Sequence, residues 1–84
     1  MNALDLIKNQ IKQLYEASPD IHISISFSHP KIIFTNDPVT IKGVYPHVFR
    51  IEEKSSGVAK CHTLQYSDIL TGQIKIKEMK GFSE

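Results

Sequence analysis

The hydrophobic period changes once along this chain, at Ser18-Pro19-Asp20, and that change decides the class of fold open to it. Before it, Leu4, Ile7, Ile11 and Leu14 recur at 3-4-3 spacing, with Tyr15 beside them and Lys8, Asn9, Lys12, Gln13 and Glu16 on the remaining faces. Such a stripe predicts an amphipathic helix over residues 3–17. Asn2 suits the N-cap, Asp5 suits the positive end of the helix dipole, and Pro19 ends the helix by disfavouring helical geometry at Ser18. Beyond it, Ile21, Ile23, Ile25 and Phe27 alternate with His22, Ser24, Ser26 and Ser28. A period of two is a strand with one buried and one solvated face.

Extended segments continue from there. Ser28-His29-Pro30 reads as a turn and Lys31–Thr35 as a second strand. Asn36-Asp37-Pro38 is either a turn or a bulge in one long strand, since proline cannot donate to a central ladder. Val39–Tyr45 and His47–Glu53 are separated at Pro46, and Lys54-Ser55-Ser56-Gly57 reads as a hairpin loop. Val58–Tyr66 follows as a strand, then an irregular Ser67–Gly72. Gln73–Lys77 closes the fold with Ile74 and Ile76 inward. Residues 78–84 are expected to fray. One helix with about five short strands predicts a single α+β domain over 1–84: helix 1–18, then a small barrel or strongly bent antiparallel sheet over 21–77.

Charge narrows the range of partners. Ten basic and nine acidic residues leave a formal net charge of +1, which supplies no global attraction for nucleic acid or anionic lipid. The single cysteine, Cys61, rules out an intrachain disulfide framework and fits a reducing compartment. No run approaches the ~20 apolar residues of a membrane span, and the first residues do not resemble a secretory signal. The expected location is the cytoplasm.

Tests for chemistry return little. His22, His29, His47 and His62 lack paired zinc-ligand spacing, so no metal or other cofactor is expected. Cys61 and His62 are neighbours on a strand and point to opposite faces, which defeats a thiol–imidazole pair. Cys61 is expected to be a half-buried strand residue. Glu52 and Glu53 diverge in the same way, and neither a nucleophile elbow nor a phosphate loop is present. The expected protein is not an enzyme. Two kinds of binding surface remain. Tyr45, Phe49 and Tyr66 are candidate platforms for single-stranded nucleic acid, with Lys31, Lys42 and Arg50 (and Lys75 and Lys77) around them. The stripe of Leu4, Ile7, Ile11 and Leu14 covers an open side or end of the sheet, or else serves as a protein or self-association interface.

Two segments in the second half carry a more specific signal. Tyr45-Pro46-His47-Val48-Phe49-Arg50-Ile51 is similar to a Y-P-x-x-F-x-[VI] strand, and Tyr66-Ser67-Asp68-Ile69-Leu70-Thr71-Gly72 to a Y-[SA]-D-[VI]-L-T segment. In that order and at about this separation, they resemble the Veg family of small bacterial proteins. The resemblance covers Tyr45–Ile76. It implies an SH3-like barrel of five strands preceded by a helix, and a role in regulating gene expression and biofilm formation. The first half lacks the Gly-rich basic turn of the family, roughly G-x-R-R-K, and has one lysine in its place. The residues themselves assign Phe49 and Ile51 to the core. They make Ser67 or Asp68 the cap of a short turn, with Ile69 and Leu70 plugging the end of the sheet. The expected function is a non-enzymatic regulatory or interaction module. The alternatives are a small-barrel nucleic-acid binder and an accessory subunit docking through its helix.

Overall fold

The computed structural model describes residues 2–29, 31–53 and 60–79. Helix α1 spans Ala3–Ala17. The Asn2 side chain caps it by accepting the Asp5 backbone N–H at 2.9 Å. At the other end the Ser18 N–H donates to the Leu14 carbonyl at 2.7 Å, closing the last turn before Pro19. The strands are β1 (Asp20–Ser28), β2 (Lys31–Val44), β3 (Val48–Glu53), β4 (Lys60–Gln65) and β5 (Ile74–Ile76), with the short helix α2 (Tyr66–Leu70) between β4 and β5.

All pairings are antiparallel, in the order β4-β3-β2-β1-β5. The five strands and leading helix of the sequence reading are present, and the bent sheet is the alternative the chain adopts. It is not closed into a barrel, because β4 and β5 are its two edges and do not pair. Helix α2 stands where closure would occur and packs against both of these strands. β5 is only three residues long, leaving little ladder with which to close.

Asn36-Asp37-Pro38 is a bulge within β2. The register to β1 jumps between Ile23 paired with Asp37 and Ile25 paired with Phe34. Asn36 takes up the extra length at φ 52°, a left-handed conformation that asparagine tolerates. Its N–H donates to Ser24 Oγ at 3.0 Å, and the Thr35 N–H donates to Asp37 Oδ2 at 3.3 Å. A second irregularity in β2, between Ile41 and Gly43, sets Gly43 opposite Arg50 and Val44 opposite Phe49.

The core is mostly isoleucine. Ile7 and Ile11 of α1 are fully buried with Ile21, Ile23, Ile25, Val39, Ile41, Phe49, Ile51, Leu64, Tyr66, Ile69, Ile74 and Ile76. Helix α1 packs on β2 and α2, so its stripe covers the chain's own sheet. The last described residues depart from the expected frayed tail at 78–84. Met79 is buried, and the His22 N–H donates to Glu78 Oε1 at 2.9 Å. His22 Nδ1 also lies 2.9 Å from Glu78 Oε2. The expected hairpin loop at 54–57, Pro30 and residues 80–84 lie outside the described residues.

Candidate functional site

The Tyr45–Ile51 and Tyr66–Gly72 segments meet in space and build one unit. Between β2 and β3 the chain reverses at Tyr45-Pro46-His47, where the Tyr45 N–H donates to the Val48 carbonyl at 2.9 Å. Tyr66, the first residue of α2, is stacked on Phe49 with ring centroids 5.5 Å apart at 15°. Its hydroxyl donates to the Tyr45 carbonyl at 2.6 Å, and its N–H to the His47 carbonyl at 3.5 Å. Burial pushes the Tyr66 hydroxyl above its ordinary value, so the donor keeps its proton across the physiological range. One buried ring therefore holds the turn from below.

Gly43 shapes the turn from the side. A Cβ at this position would lie 2.6 Å from Tyr45 Oη and 2.9 Å from two ring carbons, so the Tyr45 ring packs directly over the glycine backbone. Held there, Tyr45 keeps 44% of its surface exposed. Across from it stands α1. Lys8, Lys12, Tyr15 and Glu16 of the helix, with Val44, Tyr45 and Pro46 of the turn, line a groove of about 280 Å³. Tyr15 is 40% exposed. Neither lysine forms an ion pair among the described residues.

Several of the residues singled out from sequence lie elsewhere. Tyr66 is 3% exposed and cannot stack a base. Phe49 is likewise fully buried. Lys42 and Arg50 are exposed, and Lys31 sits at the far end of β2 from Lys42, so the three cations do not gather in one patch. Of the apolar stripe, Ile7 and Ile11 are buried in the core and Leu14 is half-buried, while Leu4 is exposed. Leu70, expected to plug the sheet end, is exposed, and Ile69 alone does so. The N-cap of helix α2 is Gln65, with no side-chain cap hydrogen bond, where Ser67 or Asp68 was expected to cap it. It closes on Gly72, whose φ of +87° is the left-handed geometry glycine allows. Cys61 is exposed on the outer side of edge strand β4, where a half-buried position was expected. His62 turns to the other face, 2.6 Å from Glu53 Oε2 and edge-on to the Phe34 ring. Among the described residues no three His, Cys, Asp or Glu side chains are grouped to hold a metal ion, and no helix is long and apolar enough to cross a membrane.

The groove residues of α1 escaped the sequence reading, which assigned Lys8 and Lys12 to the solvated side and Tyr15 to the margin of the stripe. A signal was there: Lys8, Lys12 and Tyr15 recur at 4-3 spacing and share a second helix face.

The family model of the biofilm formation stimulator VEG matches residues 2–77. The chain belongs to the Veg family. The match runs through α1, β1 and β2 as well as the two motif segments, so the absence of a basic turn in the first half does not separate this chain from Veg proteins. No curated protein and no solved structure matches the chain. The description of the Veg family supports a small regulatory protein.

Proposed function

We propose that this chain is a non-enzymatic, cytoplasmic regulator that stimulates biofilm formation by binding a partner protein in the groove between α1 and the Tyr45-Pro46 turn. One observation carries the reading. The two segments that bear the Veg motifs converge on the Tyr45 backbone, and the turn they hold presents a half-exposed Tyr45 ring that lines one groove with Tyr15. Tyrosines kept rigid and partly exposed provide large amphipathic contact area at low entropic cost, which is why they recur at binding sites.

Photo-crosslinking in cells tests this. A benzophenone amino acid replacing Tyr15 or Tyr45 is expected to give a heavier adduct that protease removes and nuclease does not. The same group at Ile33, an exposed position on β2 outside the groove, serves as the control. Adducts from Ile33 but not from Tyr15 or Tyr45 contradict the proposal.

A further inference from the structure

We infer that the groove takes an extended acidic segment of the partner protein, with carboxylates at alternate positions and a proline or similar apolar residue between them. This rests on the proposed partner-binding role and names the chemistry that the site selects. The lining has two parts. Tyr15, Val44, Tyr45 and Pro46 form an apolar, partly aromatic wall, while Lys8 and Lys12 carry the positive charge. A fully extended segment laid between two such walls sends alternate side chains to each of them.

Spacing selects the charges. Lys8 and Lys12 are four residues apart on α1, an axial rise of about 6 Å. In a fully extended segment, residues two apart point to the same side and lie about 6.6 Å apart. Alternate carboxylates therefore match the two ammonium groups on the helix, and the side chain between them turns to the Val44-Tyr45-Pro46 wall across the groove. Glu16, one helical turn beyond Lys12, adds a negative charge at that end of the groove. This limits the cationic stretch to two positions and disfavours a continuous phosphate backbone. A single-stranded nucleic acid would need further stacking platforms, but Phe49 and Tyr66 are buried.

The experiment titrates a labelled peptide of alternating Glu and Pro onto the full chain, followed by amide NMR shifts and fluorescence anisotropy. A Lys-Pro repeat and an oligo-dT strand serve as competitors. Shifts are expected to cluster at Lys8, Lys12, Tyr15 and Tyr45. Lys8→Glu with Lys12→Glu is expected to weaken binding about tenfold or more while leaving the thermal midpoint near that of the parent. Saturable shifts confined to another face, equal binding of the Lys-Pro repeat, or no binding of the Glu-Pro peptide overturns the inference. Preferential binding of oligo-dT also overturns it and assigns the groove to nucleic acid. If Tyr15 and Tyr45 crosslink a protein in cells but the Glu-Pro peptide does not bind, the partner-binding role stands and the acidic ligand falls.

Discussion

Tyr66 and Gly43 matter at the level of single atoms, and their substitution separates holding the turn from filling the core. Tyr66→Phe keeps the ring stacked on Phe49 but removes the donor to the Tyr45 carbonyl. Chemical denaturation is expected to show a loss of about 1 kcal/mol, with the parent's cooperativity retained. Gly43→Ala pushes a methyl group into the Tyr45 ring and forces that ring to move. The atoms met are the far end of a half-exposed side chain free to swing into solvent, so the expected stability loss is below about 1 kcal/mol, accompanied by a changed Tyr45 ring environment in NMR spectra. Glu78 is the residue with a pH signature. Burial alone pushes its carboxyl up, yet the hydrogen bonds from the His22 ring and backbone outweigh this and hold it below its ordinary value. A depressed carboxylate contributes stability that is present above the ordinary carboxylate range and lost as pH falls through the folded value. Thermal midpoints of the parent are therefore expected to fall more steeply on acidification than those of Glu78→Gln.

Among the elements, α1 has two tasks on adjacent faces. Ile7 and Ile11 are buried in the core, so Ile11→Ala is expected to cost about 2–5 kcal/mol in equilibrium unfolding, while Lys12→Ala leaves stability almost unchanged. The helix was legible because the 3-4-3 stripe and Asn2 cap are local signals, and β1 because Ile21–Phe27 alternates without interruption. The continuity of β2 was not. Asn36-Asp37-Pro38 has the composition of a turn, and only pairing with β1, together with the Asn36–Ser24 hydrogen bond, makes it a bulge. The docking of Glu78 and Met79 was hidden for a similar reason, since His22 lies more than fifty residues away in the chain.

For the whole molecule, an open sheet rather than a closed barrel leaves α1 and α2 to complete the enclosure of the core. The topology was close to legible, because helix, strands and edges follow from periodicity and turn residues. The groove was not, because it joins the charged side of α1 to a turn some thirty residues on, and no local pattern relates the two. Conversely, the motif residues that pointed to a family proved to be mostly internal: Phe49, Ile51, Tyr66 and Ile69 are buried, and their outward consequence is the placement of Tyr45. Under the proposed function, this placement serves regulation. The most direct measurement is biofilm mass in a strain whose own copy of the protein is replaced by Tyr45→Ala, with expression level and thermal midpoint recorded alongside. Normal expression, a midpoint within a few degrees of the parent and loss of most of the stimulation are expected. A folded, normally expressed Tyr45→Ala protein that stimulates biofilm as fully as the parent would contradict the proposal.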